Sequence, residues 1–275
     1  MKTMKIIIYI IAFAIGILWL LPFLGVFMSS IRPYSEISEG WWHFDKITLI
    51  WRENFAEVWN YSSAPIKTGL LNSILITVPA TILTIIVASL LGYALARFKF
   101  PLKSALFFLA ILIMAMPPQS IVVPLSSQME AFHLIDTRLG LILIHTAWGV
   151  PWCSVFMMSF FQSVPIEIEE AAKVDGASDL TIFRKIVLPL ALPAIVSVAV
   201  LQFIWVWNDF FFALIFLQSP EKWVLTQAIP AIKGRYPDWS LVSAASILAM
   251  IVPLIVFICL QKYYIKGIMA GAVKE

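Results

Sequence analysis

The densest group of charged side chains lies between residues 165 and 188, where eight acidic or basic residues interrupt an otherwise apolar chain. The same segment contains three alanines, Ala171, Ala172 and Ala177. Charged side chains next to small ones are suited to a contact with another protein, because small side chains let the two backbones approach closely. The chemistry expected here is therefore docking. An amphipathic helix that merely joins two membrane spans is the alternative.

This segment is predicted to form two short helices joined by a turn. Ser163 is a candidate N-cap for the first helix, whose early glutamates complement the positive helix end. Gly176 is expected to end that helix, because glycine adopts the left-handed conformation without a steric penalty. Ser178 is a candidate cap for the second helix, which is expected to end at Pro189.

Asp209 is the second candidate for chemistry, because it is the only acidic residue predicted to lie inside a membrane span. A charge at that depth is costly and is a functional-site hypothesis by default. With its neighbours Asn208 and Trp205, it could contact a solute on its path or hold an outer gate. Asn72 is a further candidate for lining this path. The alternative for all four is a structural bond between packed helices.

Catalysis by this chain itself is not expected. The sequence contains no Gly-x-x-x-x-Gly-Lys-Ser/Thr phosphate loop and no recognisable arrangement of serine, histidine and aspartate. The three histidines are scattered and far from either cysteine, which predicts that the chain holds no metal. A net charge of +3 is too small for a nucleic-acid-binding protein.

The amino-acid composition predicts the kind of structure that positions these candidate residues. The 275 residues are 61% hydrophobic and only 13% charged, whereas soluble domains average about 45–50% and about 25%. This composition argues against a soluble enzyme, a disordered chain and a disulfide-rich secreted domain, and predicts an all-α integral membrane protein.

Because one span needs about 20 residues, six transmembrane helices are expected. They are predicted at Ile6–Met28, Thr68–Ala96, Ser104–Pro124, Leu139–Phe161, Pro189–Leu217 and Trp239–Leu260.

Six spans place both termini on one side of the membrane. That side has the modest excess of lysine and arginine, so it is predicted to be cytoplasmic, together with the charged loop 163–189. The chain is expected to divide into a first helix with an outer loop (1–66), a core of five spans (67–265) and a cytoplasmic tail (266–275). The first apolar run is longer than the apolar part of a signal peptide, which favours a retained helix.

A resemblance to a known family rests on the charged loop. Glu170-Ala171-Ala172, Gly176 and the end Ile186-Val187-Leu188-Pro189 match the EAA motif of the membrane subunits of ATP-binding cassette (ABC) importers. The resemblance implies a type I importer permease fold in which this loop docks on an ATPase subunit. The implied docking residues are Glu170, Ala171, Ala172, Asp175, Gly176, Ala177 and Arg184.

A second resemblance covers nearly the whole chain and narrows the family. The end Gln261–Glu275 and the stretch Trp205–Leu214 resemble the maltose-type carbohydrate permeases, although glutamate is expected more often where this chain has Asp209. With the carbohydrate class that this resemblance implies, the solute on the path predicted for Trp205, Asn208, Asp209 and Asn72 would be a sugar. It implies that the tail residues Gly271, Val273 and Lys274 reach the ATPase interface. It also implies that Gln227, Lys233, Gly234, Arg235 and Tyr236 face the binding protein.

The resemblance implies a subunit of a sugar importer in a prokaryotic plasma membrane, with no cofactor of its own. Its implied partners are a second, different permease subunit, two ATPase subunits that bind ATP and Mg²⁺, and an extracellular solute-binding protein. A permease for polyol phosphates, peptides or ions is the main alternative. A secondary transporter that works without ATP is more remote, since it would be expected to show inverted repeats and several buried acids.

Overall fold

The computed structural model describes residues 2–63, 65–232 and 238–272, with side chains at 4–63, 65–232 and 238–262. All regular secondary structure in those ranges is helical, which confirms the predicted all-α class. The α-helices are α1 (Lys2–Ser30), α2 (Tyr34–Ile37), α3 (Trp51–Trp59), α4 (Ile66–Arg97), α5 (Lys103–Ala115), α6 (Val122–Ala131), α7 (Arg138–Ser163), α8 (Ile166–Val174), α9 (Asp179–Ile182), α10 (Leu188–Leu190), α11 (Leu192–Trp207), α12 (Phe211–Phe216), α13 (Leu225–Ala228) and α14 (Trp239–Ala272). Tighter 3₁₀ turns lie at Pro118–Ile121, Pro220–Lys222 and Ile229–Ala231, and a wider π turn lies at Phe183–Val187.

Four helices within the described residues are long and apolar enough to cross a membrane, as predicted. The apolar side chains of Met4–Ser30 are exposed almost throughout, whereas many of those in Arg138–Ser163 are buried within the chain. These segments are Met4–Ser30, Ile66–Arg97, Arg138–Ser163 and Trp239–Lys262.

The third and fifth predicted spans are not continuous helices, and both predictions were wrong in this respect. The third breaks after Ala115 and continues at Pro118 with a bend of 106°. Pro117 and Pro118 lack the N–H groups that would continue the helix, which explains the break. The fifth is bent by 75° between Leu190 and Leu192, and α11 already ends at Trp207. Counting each bent pair as one span gives six.

The chain divides into two compact units. One contains Met1–Leu70 and Val224–Val252, and the other contains Leu71–Trp223 and Pro253–Glu275. In the first unit, the predicted outer loop 29–66 carries the helices α2 and α3 and is held by buried polar side chains. Arg32, which is 1% exposed, donates to the carbonyl oxygens of Trp41 (3.2 Å) and Lys46 (2.8 Å).

The second unit contains both candidate sites. Its core is a cluster of buried side chains from α4, α7 and the segment 182–198. Tyr93 packs between two phenylalanines there, with ring centroids 5.7 Å from Phe161 and 4.8 Å from Phe183. This core therefore joins the charged loop directly to two membrane-spanning helices.

A polar tie in the second unit fixes the connection that precedes α7. The carboxylate of Asp136 accepts hydrogen bonds from the backbone N–H of Gln218 (2.9 Å), from the N–H and hydroxyl of Ser219, and from Lys222 Nζ (2.8 Å). Burial alone would raise the pKa of Asp136, but the hydrogen bonds from Lys222 and Ser219 hold that pKa well below its usual range. The tie therefore stays charged at neutral pH.

Replacing Asp136 with asparagine is expected to lower the free energy of unfolding by about 1–2 kcal/mol at pH 7, because the charge-assisted hydrogen bonds are lost. Asparagine suits the left-handed backbone of this position (φ 54°). A depressed pKa contributes stability that is complete above the unfolded pKa of about 3.9 and is lost as the pH falls further. Unfolding in detergent should therefore show a constant difference from pH 8 to pH 5 that narrows below pH 4. A difference that persists unchanged at pH 3 would contradict this interpretation.

Candidate functional site

The charged loop forms two short helices joined by a turn, as predicted, and we call residues 166–190 the elbow. Its beginning differs from the prediction. Ser163 is the last residue of α7, where its hydroxyl donates to the carbonyl oxygen of Phe160 (2.6 Å). Pro165 is the N-cap residue of α8, without a side-chain cap. The long helix continues to Ser163 because apolar packing extends it through the buried Phe161.

The turn of the elbow is fixed by its backbone. Gly176 has φ +82°, which confirms the predicted left-handed turn. Its N–H donates to the carbonyl oxygen of Lys173 (3.0 Å), and the N–H of Ala177 donates to that of Ala172 (3.0 Å). These two bonds form the Schellman motif, which satisfies carbonyl groups left open at a helix end.

The second half of the elbow is capped as predicted. Ser178 Oγ accepts from the N–H of Thr181 (3.4 Å) at the start of α9. Lys173 and Asp179 form an exposed ion pair of 2.9 Å across the turn, and the hydrogen bond to Asp179 raises the pKa of Lys173. The helical path then continues through the π turn to Leu190, one residue beyond the predicted end at Pro189.

The elbow presents an outer face to solvent. The predicted docking residues Glu170, Ala171, Asp175, Gly176 and Arg184 are all exposed. Two apolar side chains accompany them, Val174 (87% exposed) and Leu180 (61% exposed). Ala172 and Ala177 are partly buried against the core of the second unit. Their small side chains therefore allow close packing within this chain. A mixed face of charged, small and apolar groups remains available to a partner.

A buried carboxylate that the sequence analysis did not single out anchors the elbow. Glu169 is 2% exposed and accepts hydrogen bonds from Tyr93 Oη (2.7 Å) and Arg97 Nε (2.6 Å), both on α4. Arg97 also donates to the carbonyl oxygen of Val164 (2.7 Å). We call Tyr93, Arg97 and Glu169 the anchor triad. The one sign of this triad in the sequence is the basic residue Arg97 at the end of a span. That residue contributed only to the predicted orientation of the chain in the membrane.

Asp209 lies at a helix break rather than inside a continuous span, as a correction to the prediction. Its carboxylate accepts from the N–H groups of Phe212 (3.4 Å) and Ala213 (3.1 Å), and thus caps α12. Oδ2 of the same carboxylate is 3.6 Å from Nε2 of the buried His145 on α7. Asn208, the C-cap residue of α11, is exposed and bonds the carbonyl oxygen of Ile204. Asp209 therefore has a structural role in addition to any contact with a solute.

A pocket opens beside Asp209 within the second unit. Its walls come from the break before α6 and from α7, α11 and α12. The lining residues are Pro118, His145, Trp148, Gly149, Trp152, Gln202, Trp205, Val206, Asp209 and Phe212. Two of the predicted path residues, Trp205 and Asp209, thus meet at one site.

The remaining predicted residues lie elsewhere. Asn72 is fully buried and donates to the carbonyl oxygens of Glu221 and Trp223, while its own oxygen accepts from Arg138 Nε (2.8 Å). It is not part of the pocket lining. Gln227 is buried in α13. Lys233, Gly234, Arg235 and Tyr236 lie outside the described residues, as do Val273 and Lys274, and Gly271 is described only as part of α14.

The fold has a clear counterpart among solved structures. The chain is similar to a subunit in the crystal structure of a bacterial ABC transporter involved in the import of the acidic polysaccharide alginate. The TM-score is 0.79 at 24% identity, and the match covers 96% of this chain and 98% of that chain. The chain therefore has the fold of that subunit.

The sequence comparisons define the family. Residues 88–269 match the binding-protein-dependent transport system inner membrane component family. A probable ABC transporter permease protein of Pyrococcus horikoshii is 50% identical, with 97% of this chain and 96% of that protein covered. A melibiose/raffinose/stachyose import permease protein of Bacillus subtilis is 34% identical, with 99% and 98% covered. The chain belongs to the binding-protein-dependent transport system inner membrane component family.

Proposed function

We propose that this chain is the transmembrane subunit of an ATP-driven importer that moves a sugar from an extracellular binding protein into the cytoplasm. The observation that carries the proposal is the elbow, a rigidly capped and exposed docking face on an otherwise apolar helical protein. The relative from Bacillus subtilis supports the carbohydrate class, because its name refers to oligosaccharides. A permease for polyol phosphates, peptides or ions is the alternative within the same family.

The proposed complex contains further subunits. A second, different permease completes the path, two ATPase subunits bind ATP and Mg²⁺, and the binding protein delivers the sugar. ATP hydrolysis belongs to the ATPase subunits, so this chain is a permease and not an enzyme. We propose that the chain crosses the membrane six times, at the positions predicted from the sequence, so that the fifth span begins where the elbow ends. Both termini and the elbow would then face the cytoplasm.

In the proposed mechanism, the elbow converts movement of the ATPase subunits into movement of membrane helices. Glu170, Asp175 and Arg184 supply charged contacts, while Gly176 allows close approach. The anchor triad then transmits the displacement to α4, because its two hydrogen bonds are short and buried. The aromatic contact of Tyr93 with Phe161 transmits it to α7. Such coupling of a docked element to helix movement resembles the shear and hinge motions of other switching proteins.

Uptake by the reconstituted complex tests this function. Proteoliposomes that contain this chain, its partner permease and the ATPase subunits should accumulate a radiolabelled sugar only with ATP and the binding protein present. The panel would contain maltose, trehalose, melibiose and raffinose, with glycerol phosphate, a tripeptide and Mg²⁺ as controls. Uptake of a control in place of any sugar would favour another importer class. Accumulation without ATP would contradict the proposed function.

A further inference from the structure

The pocket beside Asp209 combines aromatic faces with hydrogen-bonding groups. Trp152 and Trp205 face it with ring centroids 6.4 Å apart and planes tilted by 38°. Trp148 closes one side against Phe212. Trp205 is 64% exposed and yet belongs to the lining, so a large apolar ring borders the opening. A concave site with aromatic walls and a few polar groups is the usual form of a small-molecule site.

The polar groups of the pocket are positioned by buried hydrogen bonds. Gln202, which is 2% exposed, accepts from Trp152 Nε1 (3.0 Å), and its side-chain nitrogen lies 3.4 Å from the carbonyl oxygen of His145. A Cβ atom at Gly149 would collide with the Gln202 amide, so the amide keeps its present position only beside a glycine. His145 is held in turn near the Asp209 carboxylate. The amide, imidazole and carboxylate are therefore fixed before any ligand arrives.

From this geometry we infer that the pocket is a sugar-contact site on this chain itself, in which Trp205 stacks on the C–H face of one sugar ring while the Asp209 carboxylate accepts hydrogen bonds from its hydroxyl groups and Gln202 holds Trp152 in the wall. This inference rests on the proposed function, since it names where that sugar touches this subunit. Indole rings offer a broad apolar face, and carboxylates and amides accept and donate the bonds that hydroxyl groups require.

The volume of the pocket limits the size of the ligand that it can hold. About 80 Å³ is open to the centres of water molecules, and one water needs roughly 10–15 Å³ by that measure. The pocket thus accommodates several waters or the hydroxyl-bearing edge of one ring. It does not enclose an oligosaccharide, so the rest of the sugar would lie against the exposed face of Trp205.

Substitution of Trp205 in the reconstituted complex tests the inference, with the sugar that the unaltered complex accumulates as the probe. Trp205→Ala is expected to raise the KM for uptake at least tenfold, while ATPase activity stimulated by the binding protein persists. Trp205→Phe keeps an aromatic face and should restore most of the uptake. Because Trp205 is mostly exposed, its removal leaves no large cavity in the core. Trp19→Ala, which removes an equally exposed tryptophan (72%) far along the chain on α1, is the control and should leave uptake unchanged.

The outcomes separate the two proposals. If the unaltered complex takes up no sugar, the proposed function fails and the inference fails with it. If it takes up sugar and Trp205→Ala does so with the same KM, the sugar-contact site is overturned while the proposed function stands. Loss of copurification with the partner permease in Trp205→Ala would also overturn it, because Trp205 would then be an interface residue between subunits.

Discussion

Replacing Glu169 with alanine is expected to destabilise the chain and to abolish coupled uptake, because it leaves the largely buried Arg97 without its charge partner. The side chains of Glu169 and Arg97 are only 3% and 11% exposed. Removing one member of such a buried pair typically costs about 3–5 kcal/mol. The measurements are unfolding of the isolated subunit in detergent and ATP-driven uptake by the complex.

The neighbouring residue supplies a matched control. Glu170 has the same chemistry on the same helix but is exposed, so Glu170→Ala should change the free energy of unfolding by no more than about 0.5 kcal/mol. It should weaken association with the ATPase instead. Equal stability of the two alanine variants would contradict the role of the anchor triad.

A double variant isolates the buried charge. If the unpaired guanidinium causes the loss, Arg97→Met combined with Glu169→Ala should be less destabilising than the two single changes added together, because no uncompensated charge remains. Simple additivity would show that the two side chains act independently. Uptake should stay impaired in the double variant, since the link between the elbow and α4 is absent from it.

Replacing Gly176 with valine is expected to abolish association with the ATPase subunit and, with it, uptake. The left-handed backbone (φ +82°) costs an ordinary residue about 1–2 kcal/mol, and a β-branched side chain fits it poorly. Among the described residues no heavy atom lies within 4 Å of a Cβ placed there, so crowding by that part of the chain does not contribute. Copurification of the ATPase with the variant subunit, and uptake by the complex, are the measurements.

Gly176→Asn separates the turn from the close approach. Asparagine tolerates the left-handed conformation but still adds a side chain to the exposed face. We expect it to preserve the stability of the elbow and to weaken ATPase association nonetheless. Full association in Gly176→Asn would mean that the turn alone matters, and full association in Gly176→Val would contradict both parts of the prediction.

Local signals allowed the turn of the elbow to be predicted from the sequence. Gly176 and Ser178 act through bonds to residues three positions away, so composition and spacing are sufficient. Ser163 has the same chemistry as Ser178, yet it lies within α7. Packing of the apolar residues before it decided where that helix ends, and packing depends on distant parts of the chain.

The anchor triad could not be predicted for a related reason. Glu169 and Glu170 are adjacent and chemically identical, and only the rotation of α8 against α4 decides which carboxylate is buried. Bonding of Asn72 between segments was predicted as one alternative, but its partners could not be, because Glu221 and Trp223 lie about 150 residues away and Arg138 lies 66 residues away. The site beside Asp209 was only half predicted, because Trp152 and Gln202 look like ordinary membrane residues until α7 and α11 are brought together.

The π turn at Phe183–Val187 has a consequence for the geometry of the second unit. An α-helix rotates by about 100° with every residue, whereas here the N–H of Leu188 bonds the carbonyl oxygen five positions earlier. This wider turn holds one residue more than an α-helical turn would. The chain length between Gly176 and α11 therefore sets an angle as well as a distance. Deletion of that one residue would keep the helices on both sides of the turn. It would rotate the outer face of the elbow away from its present orientation relative to α11.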